Sequence, residues 1–255
     1  ESDVTSPGLS GSELIKVTNG KRFSRPVRFM LAKGGLDGHT RGMWIFADIL
    51  RSMGAEVVYA GLHCSMHELA KAAVEEDVDA IGLSSHIGSP TVFYSRLKEE
   101  LGLYGREDIL ITGGGIVLPD DQRFLEEELR VGPIFQPDTS LHEVVERLRT
   151  ELDVKHPLSY DGDTIKSGRG RLARLITRLQ DYPDETSQVM ANEDVSGHES
   201  TAHIIGVSGV AGAGKSTLIS RMLTVLRKNG MRVVVLAIDP TSERSRGALL
   251  GDRIR

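Results

Sequence analysis

Two short stretches carry residue types and spacings that could do chemistry. The first is Asp37-Gly38-His39-Thr40-Arg41-Gly42, which directly follows an apolar run. A metal-bound imidazole commonly gives its second N–H to a carboxylate, which fixes its tautomer and strengthens it as a ligand. Asp37 and His39, two apart in one loop, are spaced for such a pair. Gly38 lets the loop fold tightly, and Gly42 lets backbone approach a bulky group. Taken alone, the same residues also read as a polar loop with a capping Asp and a solvent-exposed His. The second stretch is Gly209-Val210-Ala211-Gly212-Ala213-Gly214-Lys215-Ser216, which matches G-x-x-x-x-G-K-[ST] between an apolar run and a helical pattern. Gly209, Gly212 and Gly214 free the backbone to cradle phosphates with its N–H groups at a helix start. Lys215 would reach the terminal phosphates and the Ser216 hydroxyl would bind magnesium, with Thr217 next along the same turn.

These loops need elements to hold them. From residue 27, short apolar runs alternate with amphipathic stretches, the pattern of a parallel sheet with crossover helices. Strands are predicted at 27–32, 56–60, 80–84, 109–112 and 133–135. Helices are predicted at 41–53, 66–76, 91–101, 120–128 and 141–152. Five of each make a doubly wound, flavodoxin-like α/β domain over 26–152, whose ligand crevice lies at the carboxyl ends of the strands. Residues 1–25 are polar and aperiodic and are expected to be a flexible leader. A linker is expected at 153–168, followed by a basic amphipathic helix around 171–179 whose arginines face solvent. A polar segment at 181–202 leads into a second, partial α/β domain of phosphate-loop type. Its domain range is 169–255, with strands at 203–207 and 232–238 and a helix at 215–228. Asp239 ends the second of these strands and reads as a strand-end cap or a nucleotide-site acid.

The bulk numbers exclude several classes. With 31 basic and 36 acidic residues the net charge is -5, which argues against a nucleic-acid partner. No apolar run is long enough to span a membrane. The one cysteine, Cys64, rules out an intrachain disulfide framework and a cysteine-rich zinc site, and fits a cytoplasmic setting. The chain starts at Glu1 and stops soon after a phosphate-binding motif, so it is expected to be part of a longer polypeptide.

The first site has two further parts. Ser84 ends the third predicted strand, and Gly113-Gly114 ends the fourth. This set resembles the signature of the cobalamin-binding family shared by methylmalonyl-CoA mutase, isobutyryl-CoA mutase, glutamate mutase and methionine synthase: D-x-H-x-x-G, then S-x-L, then G-G. The resemblance covers residues 27–150, with one departure, His86 where the leucine of S-x-L would stand. It implies that His39 is the lower ligand of cobalt in adenosylcobalamin and that Asp37 holds its ring. Asp37, Gly38, His39, Gly42, Ser84, Gly113 and Gly114 would then form the cofactor site. Ser84 would line the pocket of the displaced nucleotide tail, and Gly113 and Gly114 would make room for it, so that Gly114→Val is expected to obstruct the tail while leaving the fold largely intact.

The segment from Leu236 to Ser242, with Gly247 to Arg253, resembles the GTPase chaperones that accompany methylmalonyl-CoA mutase. That implies Mg2+ with GTP or GDP, Asp239 and Asp252 near the magnesium, and guanine-reading and later switch motifs beyond Arg255. The tandem of the two modules resembles fused isobutyryl-CoA mutase, an isomerase of short acyl-CoAs. The partner would be an acyl-CoA-binding domain on the same chain, and the assembly a homo-oligomer. No residue here is expected to act on the substrate itself. The alternative is a cobalamin-binding GTPase, a hydrolase and chaperone, that delivers or protects cofactor for a separate mutase subunit.

Overall fold

A computed structural model describes residues 10–33, 41–61, 64–85, 89–154, 165–181, 183–185, 202–210 and 212–236. The described residues fall into two compact units, one carried by 10–185 and one by 202–236.

The first unit is built on five parallel strands: β1 (Arg28–Lys33), β2 (Glu56–Tyr59), β3 (Ala80–Ser85), β4 (Leu110–Gly115) and β5 (Ile134–Phe135). They lie in the order β2-β1-β3-β4-β5, the doubly wound order that the alternating pattern predicts. Strands buried on both faces read as nearly continuous apolar runs, which explains the segments around Met30 and Ile81. One face is covered by α3 (Met66–Glu75) and α4 (Pro90–Leu103), with Met30, Ile81, Leu83, Ile111 and Ile134 in its core. The other is covered by α2 (Arg41–Ser52) and α6 (Leu141–Val154), with Phe29, Leu31, Leu110, Phe135 and Leu148 in its core. Between β4 and β5 a short helix, α5 (Pro119–Arg123), runs into a π-helical turn, Phe124–Glu128. Side chains from α5 and from this turn occupy the outer edge of β5. Ile134 N–H donates to Glu126 Oε1 at 2.8 Å, and Gln122 Nε2 donates to Ile134 O at 3.2 Å.

Three expectations are corrected. Residues 10–25 are not a flexible leader. They contain helix α1 (Gly11–Thr18), whose capping box joins Ser10 and Glu13 and whose Leu14 and Val17 pack on Ile49, Met53 and Val145. A pair of reciprocal hydrogen bonds of this type satisfies two orphan N–H groups at once. The basic helix is α7 (Gly168–Asp181), and it is not wholly solvated. Arg174 pairs with Asp77 at 3.1 Å and Asp108 at 3.0 Å, although Arg169 stays largely exposed. The expected linker is likewise structured where described, for Ile165 is buried and Lys166 N–H donates to Tyr104 O at 3.0 Å.

The second unit has one described helix, α8 (Lys215–Lys228). The strands expected at 203–207 and 232–238 carry no ladder among the described residues. Ile204 is 96% exposed and Val234 91%. Apolar segments of this kind become strands only when neighbours pair with them and helices cover both faces.

Candidate functional site

The register of the sheet brings the scattered residues of the first site together. At the carboxyl ends of the strands Lys33 lies beside Ser84, Ser84 beside Gly114, and Gly114 beside Phe135. Side chains alternate across a strand, so this row shares the α2–α6 face with Phe29, Leu31 and Leu110. The row spans the β1–β3 junction, where strand order reverses and open α/β sheets bind ligands. The loop from β1 to α2, with Asp37, Gly38 and His39, starts directly beyond Lys33 and lies outside the described residues, as does His86. Gly42 is the second residue of α2 and is exposed, and a Cβ there would meet no atom within 4 Å.

Aromatic rings pack just below the row. Phe46 of α2 meets Phe29 edge-on at 5.7 Å and Phe135 at 6.3 Å between centroids. Phe46 also approaches Gly82, where a Cβ would stand 3.4 Å from its ring and 2.7 Å from Leu31. Small residues at 82, 84 and 114 and bulky rings beneath them leave depth only toward the carboxyl edge.

The paired glycines do something other than expected. Gly113 and Gly114 face opposite sides of the sheet, so only Gly114 shares a face with Ser84. A Cβ on Gly113, which has φ +154, would stand 2.0 Å from Leu83 O and 2.4 Å from Tyr94 Oη. Tyr94 is buried and donates to Leu83 O at 3.0 Å, and burial pushes its phenol well above the ordinary pKa. A Cβ on Gly114 would stand 2.4 Å from Phe135 O. The sheet itself therefore requires both glycines, with or without a ligand.

Sequence reasoning missed Lys33. It is fully buried at the end of an apolar strand, beside Ser84. The signal was a charge closing an otherwise apolar run, because a buried ammonium must be compensated.

The phosphate loop is formed locally. Gly209, Gly212 and Gly214 have φ of +155, +78 and +82, and Gly214 caps α8 in the left-handed region. Ala213 N–H donates to Val210 O at 3.2 Å, closing the turn. The Lys215 ammonium donates to Gly209 O at 2.7 Å and Val210 O at 2.8 Å, so the cation lies over the loop that would hold phosphate. Ser216 and Thr217 are exposed in the first turn of α8. Asp239 and Asp252 lie outside the described residues. Among the described residues no group of three or more His, Cys, Asp and Glu is placed to hold a metal ion, and no helix is long and apolar enough to cross a membrane.

A doubly wound sheet with a candidate ligand row at its switch point, followed by a phosphate-loop sequence, is the architecture of a two-module binding protein. The chain belongs to the cobalamin-binding family of acyl-CoA mutases, here followed by a mutase-associated GTPase module. Residues 27–144 match the B12 binding domain, and residues 172–255 match the methylmalonyl Co-A mutase-associated GTPase MeaB. The chain is 33% identical over 248 residues to a fused isobutyryl-CoA mutase of Nocardia farcinica, which matches 90% of this chain and 22% of that protein. It is 34% identical over 125 residues to the 2-hydroxyisobutanoyl-CoA mutase small subunit of Aquincola tertiaricarbonis, covering 49% of this chain and 91% of that subunit. A further relative is the methylmalonyl-CoA mutase large subunit of Propionibacterium freudenreichii, 37% identical over 145 residues, matching 55% of this chain and 20% of that subunit. The chain thus spans about a fifth of the length of the fused mutases it resembles.

Proposed function

We propose that this chain is the cobalamin-binding and GTPase-chaperone portion of an adenosylcobalamin-dependent acyl-CoA mutase of the isobutyryl-CoA type. What supports the reading is the row of Lys33, Ser84 and Gly114 at the strand ends, with the Asp37-x-His39-x-x-Gly42 motif following Lys33 in the sequence. His39 is the candidate lower ligand of cobalt, and Asp37 would hold its second ring N–H. Ser84 and Gly114 offer a small-residue face to the cofactor's nucleotide tail, and the Phe46–Phe135 contact limits how deep the tail can go. When bound, adenosylcobalamin supplies the radical chemistry of a carbon-skeleton rearrangement. The chain's own part is to ligate, orient and shelter the cofactor. In the second module the backbone of Gly209–Gly214 cradles phosphates, Lys215 neutralises them, and Ser216 binds magnesium, with Asp239 and Asp252 as further candidates near it. The substrate-binding domain, on the same chain or on another subunit, supplies the acyl-CoA site, and the compartment proposed is the cytoplasm.

A second reading has its own observation. The small-subunit relative is covered over 91% of its length, which fits a cobalamin-carrying subunit that serves a separate large subunit. The fused reading stands first because the fused relatives match both modules in the same order.

The cobalt ligand is tested by electron paramagnetic resonance of the cob(II)alamin complex with 15N-labelled histidine. The expected result is nitrogen coupling from one histidine, lost in His39→Ala and weakened in Asp37→Asn. Coupling that survives His39→Ala would remove His39 from the cobalt and the reading with it.

A further inference from the structure

The segment before β1 runs along the seam between α2 and α6. Its helix α1 sets Leu14 and Val17 against Ile49 of α2, Met53 just past it and Val145 of α6, with Ile45 and Leu141 beside them. Past the helix the chain continues down the same seam. Lys21 Nζ pairs with Glu146 of α6 at 2.7 Å. Phe23 N–H donates to Met53 O at 3.0 Å, and the Phe23 ring packs both on that cluster and on the core beneath α2 and α6. Ser24 donates to Asp153 Oδ1 from its N–H at 3.1 Å and from its hydroxyl at 2.9 Å. One short segment therefore touches both helices, and it follows α6 from Leu141 in its first turn to Asp153 in its last.

These residues lie before the stretch 27–144 that matches the B12 binding domain. They hold their shape by packing on the seam. An isolated helix shorter than about 12–15 residues is marginal in water, and α1 has 8. Its capping box secures one end, and the apolar contacts of Leu14 and Val17 with α2 and α6 supply the rest.

The two helices so joined are the walls of the candidate cofactor face. They cover the side of the sheet that Ser84 and Gly114 share with Phe29, Leu31 and Leu110. In the sequence α2 starts at Arg41, just after His39. Its Phe46 meets Phe135, the last residue of β5, at 6.3 Å between centroids. A group lodged between this face and its helices can leave along the carboxyl edge or by parting α2 from α6. The seam segment closes the second route.

We propose that residues 10–25 are a clasp across α2 and α6 that sets how long the cofactor's nucleotide tail stays in the first unit, with Leu14 as its main positioning residue. The proposal rests on the reading that the tail lies on the α2–α6 face. Leu14 acts through Ile49, Met53 and Val145 and touches no part of the row. Affinity differences among variants of one interface fall mostly on the dissociation rate. A clasp on the outer side of the helices fits that pattern, because it leaves the encounter at the open carboxyl edge unchanged.

The test follows adenosylcobalamin binding to and release from the full 255-residue chain by stopped-flow absorbance, and follows α1 by amide hydrogen exchange. Leu14→Ala is expected to let α1 exchange freely and to speed release about tenfold, one decade of affinity, at an unchanged association rate. Leu14→Met, a volume-conserving swap, should release like the parent. Leu129→Ala is the control: the same truncation of a half-buried leucine on the α3–α4 face should lower stability to urea and leave release unchanged. If Leu14→Ala does not fold, Lys21→Met combined with Ser24→Ala breaks only the polar ties to α6 and should speed release in the same sense by less. Release at the parent rate from a chain whose α1 exchanges freely would overturn the proposal. Equal acceleration by Leu129→Ala would overturn it too, since the effect would then be one of general stability. A parent that binds no cobalamin would instead overturn the functional reading beneath it.

Discussion

The two candidate sites are made in opposite ways. The candidate cobalamin site is assembled by tertiary structure: Lys33, Ser84 and Gly114 come from three strands and meet only because the sheet sets their register. The phosphate loop is assembled by local sequence, with three positive-φ glycines, one turn and a helix start within a single short segment. The first depends on a core that covers both sheet faces. The second is formed although the apolar residues flanking it, Ile204 and Val234, are exposed. A distributed site is only as stable as its fold, whereas a local site keeps its shape wherever its glycines and helix are kept.

The largest expected effect breaks this comparison on the side of the sheet. Gly114→Val places a side chain against Phe135 O, which is rigid backbone. Overpacking typically costs about 1–3 kcal/mol, and against rigid backbone the upper end, about 3 kcal/mol, is expected, together with loss of cobalamin binding. The matching change in the loop, Gly212→Ala, meets no atom within 4 Å and carries only the strain of φ +78, about 1–2 kcal/mol. Urea unfolding of both variants measures the difference. If Gly114→Val unfolds like the parent and loses only cobalamin, the glycine serves the ligand rather than the sheet.

Next in size is Lys215→Ala. A hydrogen bond to a charged group is worth about 1.5–3 kcal/mol, so GTP binding should weaken at least about tenfold, one decade being about 1.4 kcal/mol. Among the described residues the side chain's hydrogen bonds go to its own loop, at Gly209 O and Val210 O. Urea unfolding of the first unit and cobalamin affinity without nucleotide should therefore be unchanged. Calorimetric titration with each ligand checks this, and a drop in cobalamin affinity without nucleotide would show that the loop is not local.

The smallest effect is a pH dependence confined to the first unit. Burial opposes the charge of Asp108, but the hydrogen bond and charge of Arg106, aided by Arg174, hold its carboxyl below the ordinary range. A carboxylate with a lowered folded pKa contributes stability that is complete above its unfolded value, about 4. That contribution is lost as pH falls through the folded value. The half-exposed side chain keeps it below about 1 kcal/mol. Melting between pH 5 and about 3 should fall slightly more steeply for the parent than for Asp108→Asn; equal slopes would mean that Asp108 is not held by its arginines.

Much of the first unit was legible because its signals are local or periodic. The apolar runs gave the strands of a doubly wound sheet, and the family resemblance named Ser84 and Gly114, which the register sets side by side. What could not be read depends on pairs far apart in the chain. Nothing near Arg174 announces Asp77, and nothing near Gly113 announces Tyr94 Oη, so the arginine looked solvated and the glycine looked like ligand space. Helix α1 is different, since its S-x-x-E capping box, Ser10 to Glu13, stood in the sequence and was overlooked beside its polar neighbours. In the second unit the loop was legible, while among the described residues 203–207 and 232–236 carry no ladder, because pairing is not a property of one segment.

The covered rim of β5 sets how this sheet meets other chains. A sheet edge normally presents unpaired N–H and C=O groups that recruit foreign strands into aggregates. Here the outward N–H and C=O of Ile134 are already taken by Glu126 and Gln122, and the strand is only two residues long. Growth of the sheet on that side is blocked by side-chain chemistry, so a strand from another copy finds no free backbone pair at Ile134 to extend.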